Sequence, residues 1–113
     1  MDIPNLTQEI AELHAKLCFA LADPTRLILL YMLVEHPGSV SELTQKLGIS
    51  QPKVSRQLKV LRDGGLVIAR RQGTSILYTL TDHRIIEALD LLRAVLRDRI
   101  HHDADLMDEL HPS

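Results

Sequence analysis

The chain has 113 residues, 45% of them apolar and 3% aromatic, with one cysteine and a formal net charge of −2. That length fits one domain with a modest core. A lone cysteine excludes an intrachain disulfide framework, and no apolar run approaches membrane-spanning length. Only Phe19, Tyr31 and Tyr78 are aromatic, so the core must come from Leu, Ile, Val and Ala, which suits packed helices. No basic stretch followed by an apolar run opens the chain, so no signal peptide and no membrane association are expected, and the cytoplasm is the expected compartment.

Leu6, Ile10, Leu13, Leu17 and Leu21 recur at spacings of three and four, which predicts a first helix over about residues 5–21. Asp23 can cap a second helix, and Pro24 suits its first turn, where no amide donor is needed. Residues 27–34 are apolar nearly all round, which predicts burial, and His36-Pro37-Gly38 ends that helix. Ser39 and Glu42 form an S-x-x-E capping box before a short helix over about residues 40–47. Gly48 can end it with a positive φ. Ser50 can cap the next helix, with Pro52 in its first turn. Val54, Leu58 and Leu61 give that helix an inward stripe and leave Gln51, Lys53, Ser55, Arg56 and Lys59 on other faces. Gly64-Gly65 terminates it.

The period then changes to two. Residues 66–69 and 75–78 are short runs rich in β-branched side chains, joined by Arg70-Arg71-Gln72-Gly73-Thr74. This predicts a β-hairpin over about residues 66–80 with a basic tip. Asp82 can cap a last helix reaching about residue 108. Ile85, Leu89, Leu92, Leu96 and Ile100 form one stripe on it, and Ile86, Leu91 and Val95 a second apolar flank. That is more apolar surface than one small core needs. The last residues, through Pro112 and Ser113, are expected to fray.

Charge is unevenly placed. Residues 41–80 carry seven basic groups against two acidic ones, net +5, while residues 1–40 carry two against five and residues 101–113 none against four. A basic centre between acidic ends suits a polyanion partner. It coincides with a helix, a glycine turn, a second helix over about residues 40–64 and then the hairpin, which is the order of a winged helix-turn-helix. The fold class is therefore mainly α with a small β-hairpin: five helices and a two-stranded wing, as one domain spanning residues 1–113. The second helix of such a unit enters the major groove of double-stranded DNA by its N-terminal end. The expected DNA contacts are Ser50, Gln51, Lys53, Ser55, Arg56 and Lys59 on that helix, and Arg70, Arg71, Gln72 and Thr74 on the wing. Gln pairs with adenine and Arg with guanine through two hydrogen bonds each; the lysines and wing arginines suit phosphates.

Leu21-Ala22-Asp23-Pro24-Thr25-Arg26-Leu27, Ser41-Glu42-Leu43, residues 50–61 (Ser-Gln-Pro-Lys-Val-Ser-Arg-Gln-Leu-Lys-Val-Leu) and Gly64-Gly65-Leu66-Val67 occur in that order. In these motifs the chain resembles the ArsR/SmtB family of winged-helix repressors, in register from about Leu17 to Leu80. The resemblance implies a homodimer on an operator of two-fold character, joined through the first and last helices. The expected interface residues are Leu6, Ile10, Leu13, Leu89, Leu92, Val95 and Leu96, which agrees with the surplus apolar surface of the last helix. The resemblance also implies repression that is relieved when an effector binds.

The effector is not legible. Soft-metal members of the family carry a Cys-x-Cys pair where this chain reads Ser39-Val40-Ser41-Glu42. The zinc-type site would use Asp82, but Arg84 replaces its His, and the later pair falls on Val95 and Asp98. No metal site and no cofactor are therefore assigned. Three routes stay open. His101 and Asp105 share a helix face at i, i+4 beside His102, with His111 beyond, a feasible ligand set for zinc or nickel or simply a solvated acidic helix end. Cys18 can be a redox group or a small buried core residue. The third route is an organic ligand, a protein partner or no effector. His14 and His36 stand alone and read as structural or exposed.

Other classes fare worse. No phosphate-cradling glycine loop or catalytic triad pattern is present, so an enzyme is not expected. A winged helix serving as a protein–protein module is the alternative, and Lys53, Arg56 and Lys59 favour DNA over it. Single-strand RNA readers need exposed aromatics for stacking, which the hairpin lacks.

Overall fold

The computed structural model describes residues 2–110; the expectations placed on His111, Pro112 and Ser113 lie outside the described residues. The architecture is the expected one of five helices and a two-stranded antiparallel wing. The elements are α1 (Ile3–Leu21), α2 (Pro24–Glu35), α3 (Val40–Leu47), α4 (Gln51–Asp63), β1 (Val67–Gln72), β2 (Ser75–Leu80) and α5 (Arg84–Leu110). The chain divides into two compact units, one ending at His83 and the other consisting of α5 onward. Among the described residues no single helix is long and apolar enough to cross a membrane.

α1 departs from the uniform helix that its spacing predicts. Residues Ile10–His14 form a π-helical segment, closed by the Ala15 amide donating to the Ile10 carbonyl. The wider turn inserts an extra residue, so the apolar stripe does not run straight. Leu6, Leu17 and Leu21 are half-buried, Ile10 and Leu13 are exposed, and only Ala20 is buried. Cys18, which could have been a core residue, is exposed.

α1 and α2 meet at 91°. Pro24 starts α2, but the Asp23 side chain makes no cap hydrogen bond. Its carboxylate instead lies 3.6 Å from Arg26 Nη1. Leu29, Leu30 and Leu33 of α2 are buried, whereas Ile28 stays half-exposed.

The caps around α3 and α4 follow the sequence. The Glu42 amide donates to Ser39 Oγ at 3.2 Å, and that hydroxyl donates onward to Glu42 Oε1 at 3.2 Å. Gly48, at φ +69°, closes α3 by donating its amide to the Thr44 carbonyl. At the end of α4, Gly65 has φ +77°, its amide donates to the Arg62 carbonyl, and the Leu66 amide donates to the Leu61 carbonyl at 2.9 Å. This is a Schellman closure, with Leu66 buried beside it. The preceding Gly64 has a different reason to be glycine: a Cβ there would sit 3.0 Å from the Ala20 Cβ. That contact brings α1 close against the end of α4.

One charged side chain holds this corner together. Arg26 is 9% exposed, within a core of aliphatic residues. Its Nε donates to the Ala20 carbonyl at 2.7 Å and its Nη2 to the Phe19 carbonyl at 2.8 Å. Both carbonyls belong to the last turn of α1, where i+4 donors run out; that of Phe19 also accepts from the Ala22 amide at 3.2 Å. Its Nη1 donates to Gln57 Oε1 on α4 at 2.7 Å, and its guanidinium lies 5.5 Å from the Phe19 ring centroid. A single planar fork thus ties the end of α1 and the start of α2 to the middle of α4.

Arg26→Met should destabilise the protein by about 3 kcal/mol, because two carbonyls and an amide oxygen lose a buried donor together. Arg26→Lys should recover less than half of that, since one ammonium cannot span three acceptors. Urea denaturation measures both; a loss below about 1 kcal/mol for Arg26→Met, the size of one ordinary hydrogen bond, would contradict the assigned role. Gly65→Ala should cost about 1–2 kcal/mol, the strain of a side chain in the left-handed region, and lower the midpoint of thermal unfolding accordingly.

Candidate nucleic-acid interface

α4 is divided lengthwise. Val54, Leu58 and Leu61 are fully buried at 0% exposure, held against α2, α3 and β1. Gln51, Lys53, Ser55, Arg56 and Lys59 are exposed. The spacing of four and three that buries one side leaves the other to solvent. Ser50 is exposed but already engaged: its Oγ accepts from the Lys53 amide at 3.4 Å as the helix cap.

Lys59 is not a free cation. Its Nζ donates to Asp63 Oδ2 at 2.9 Å, one turn along the exposed side of α4. That hydrogen bond holds the Asp63 carboxyl below the usual carboxylate range, helped by the charges of Arg62 and Lys16. Exposed pairs of this kind are weak, so a phosphate can take Lys59 from Asp63. Gln57 is the residue of α4 that the sequence did not single out. It is half-buried and spent on Arg26. The only signal available was its place beside the buried stripe, which does not name its partner.

The wing is longer than the sequence runs suggest. β1 and β2 pair from Val67↔Leu80 to Gln72↔Ser75, which leaves a two-residue turn of Gly73 and Thr74. Gly73 has φ +64° and among the described residues no non-glycine has a positive φ. The turn is therefore of the II′ kind, with glycine at its first central position. Arg70, Arg71 and Gln72 consequently lie in β1 and not in the connecting loop. Neighbouring strand residues alternate faces, so Arg70 and Gln72 share one face while Arg71 lies on the other, opposite Ile76. The span from Arg70 to Ile76 is exposed throughout, Thr74 included.

An anchor that the sequence did not reveal joins the wing to the helix-turn-helix. Gly38 and Tyr78 exchange backbone hydrogen bonds at 3.1 and 2.8 Å, so residue 38 acts as a single-residue third strand. A Cβ at Gly38 would lie 3.3 Å from Leu43 Cδ2, which is why the chain passes so close to α3. Next to it, Lys46 Nζ lies 3.0 Å from His36 Nε2 and His36 Nδ1 lies 2.8 Å from the Pro37 carbonyl. A lysine can only donate, so Nε2 accepts and Nδ1 carries the proton.

The groups considered for an interface or an effector are placed as follows. On α5, Leu92, Val95 and Leu96 are 58–62% exposed, whereas Leu89 is buried at 7% and offers a second copy little surface. His101, His102 and Asp105 are exposed on the same helix. Among the described residues no three His, Cys, Asp or Glu side chains converge into a metal-binding group.

The glycine turn between α3 and α4, the divided second helix and the anchored wing define a winged helix-turn-helix, DNA-binding transcriptional regulator. Residues 23–69 match the model of bacterial regulatory proteins of the arsR family. The chain is 39% identical over 97 residues to the biofilm growth-associated repressor of Xylella fastidiosa, an alignment covering 82% of this chain and 85% of that one. Among solved structures it is similar to Rv0081 of M. tuberculosis, at a TM-score of 0.75 and 35% identity over 84% of this chain and 96% of that one. It is also similar to the homodimeric winged helix-turn-helix domain of Mb0332 from Mycobacterium bovis, at a TM-score of 0.75 and 27% identity over 85% and 89%. This chain belongs to the arsR family of bacterial regulatory proteins.

Gly38→Val should loosen the wing, because the new side chain must displace Leu43. Amide exchange at Tyr78 should accelerate well before global unfolding. Unchanged protection of Tyr78 would show that the wing holds its place without residue 38.

Proposed function

We propose that this regulator is a homodimeric repressor, that it binds an operator of two-fold character, and that an effector releases it. It acts by occupying DNA, not by turnover. The observation that carries the reading is the exposed polar side of α4, backed by a fully buried aliphatic stripe and set within the basic third of the chain. Gln51 and Arg56 are assigned to base edges and Ser55 to either a base or a phosphate. Lys53 and Lys59 are assigned to phosphates, Lys59 after leaving Asp63. Ser50 contributes chiefly by capping α4, whose N-terminal dipole also favours a phosphate. Arg70, Arg71, Gln72 and Thr74 form the wing contact, with an arginine on each face of the ribbon.

The relative from Xylella fastidiosa is named a repressor, and the neighbour from Mycobacterium bovis is a homodimer. Both support the proposal. The dimer interface is assigned to Leu6, Ile10 and Leu13 of α1 with Leu92, Val95 and Leu96 of α5. Exposed apolar side chains at that density on one helix call for a cover.

Fluorescence anisotropy on the duplex upstream of the protein's own gene tests the reading surface. Arg56→Ala should lose about 1–3 kcal/mol of operator affinity and relax sequence preference. Arg70→Ala should weaken all sequences alike and reduce the salt slope by about one. Wild-type binding by both variants would reject the assignment. Leu92→Glu should convert the dimer to monomer in sedimentation velocity; an unchanged dimer would reject α5 as its interface.

A further inference from the structure

The corner that Arg26 organises also opens to solvent. A groove of about 390 Å³ lies between α1 and the end of α4, lined by Ala15, Lys16, Phe19, Val60, Asp63 and Gly64. That volume lies within the range of small-molecule sites. The groove exists because Gly64 lets α1 approach α4 at Ala20, while the side chains one turn earlier on α1 stand apart from Val60 and Asp63. It uses none of the residues assigned above to the dimer interface.

Its chemistry is specific. Phe19, Ala15, Val60 and Gly64 are apolar, and the Phe19 ring is 66% exposed, an unusual situation for the only phenylalanine in the chain. The two charged groups are not equivalent. Asp63 is already hydrogen-bonded to Lys59. Lys16 makes no hydrogen bond or ion pair among the described residues, although it is near enough to Asp63 to act on it electrostatically. An apolar wall with a spare ammonium at its edge suits an amphiphilic anion.

We propose that this groove binds a hydrophobic carboxylate, with its apolar body against Phe19 and Val60 and its carboxylate on the Lys16 ammonium, and that its occupancy alters operator affinity. The inference rests on the repressor reading above and supplies the class of effector that reading lacks. The route to DNA is short. The Phe19 ring walls the groove and lies against the Arg26 guanidinium, and the Phe19 carbonyl accepts from the same group. The other arm of that guanidinium holds Gln57, which precedes the buried Leu58 on α4 and follows Arg56 on its exposed side. A ligand that repositions Phe19 therefore acts on the group that sets α4. Asp63, on the groove wall, holds Lys59 in the same way. A ligand shifts the equilibrium only as far as it prefers one arrangement of these groups over another.

Isothermal titration of the full-length protein without DNA tests the site, with sodium decanoate below its self-association concentration as probe and decyltrimethylammonium as the cation of matching chain. One decanoate per chain is expected, with the cation bound at least tenfold more weakly. Lys16→Gln should weaken decanoate at least tenfold and leave the cation unchanged, and Ala15→Trp should block both by filling the groove. Equal binding of the two amphiphiles, or decanoate binding indifferent to both substitutions, would overturn the site. Anisotropy on the operator duplex then tests the coupling. Decanoate should change wild-type operator affinity at least tenfold and that of Lys16→Gln much less. Binding without any change in operator affinity would overturn the regulatory half. Absence of operator binding before any ligand is added would instead count against the repressor reading, while the titration without DNA would still decide the site.

Discussion

The orientation of the reading helix depends on a buried guanidinium. A charge at 9% exposure is costly to bury unless every hydrogen-bonding arm finds a partner. Here the arms find two carbonyls at the end of α1, the Gln57 amide on α4 and a carboxylate at the start of α2. The Phe19 carbonyl also accepts from the Ala22 amide at 3.2 Å, so it is the Ala20 carbonyl, at the helix terminus, that depends on the guanidinium. The arrangement answers two needs at once, closing α1 and fixing α4. Aliphatic packing at Val54, Leu58 and Leu61 supplies most of the attraction that seats α4. Packing of that kind tolerates rotation better than a directional fork does, so the hydrogen bonds set the angle at which Gln51 and Arg56 stand.

From that angle the function follows by division of labour along one helix. The buried stripe takes up Val54, Leu58 and Leu61, Val60 is half-buried at the groove, and the exposed side from Gln51 to Lys59 is chiefly polar and basic. The overall charge of −2 conceals this, because acidic ends balance a basic centre. A field of that shape directs the centre toward a polyanion and keeps the ends off it. The wing extends the same surface. Its paired strands keep Arg70 and Arg71 on opposite faces of a ribbon, and its root is held by two hydrogen bonds to Gly38. The exposed Lys59–Asp63 pair can be broken at little energetic cost.

Much of this was legible in the residues. Capping serines, terminating glycines and a period that changes from 3.6 to two define elements locally, and local chemistry decides them here: Ser39, Gly48, Ser50, Gly65 and Gly73 all act where their types imply. Long-range partners were not legible. Arg26 was visible only as part of a motif, because nothing in its neighbourhood says that it reaches Gln57, thirty-one positions on. The Gly38–Tyr78 bridge was hidden for the same reason. The π-helical turn at Ile10–His14 left no mark in the spacing of leucines. Asp23 has the type and place of a cap, yet it serves Arg26, a choice fixed by tertiary geometry. Cys18 and Leu89 exchanged places relative to expectation, the cysteine exposed and the leucine buried, because which side of a helix meets a core depends on packing that spacing alone does not specify.

The central claim is that the exposed side of α4 and the wing together meet DNA while the apolar surface of α5 does not. Hydrogen–deuterium exchange with and without the duplex upstream of the protein's own gene tests it in one experiment. Peptides covering Gln51–Lys59 and Arg70–Thr74 should slow in exchange when DNA is added, and peptides from Leu91 to Ile100 should not change. Protection confined to α5, with α4 and the wing exchanging as in the free protein, would contradict the account.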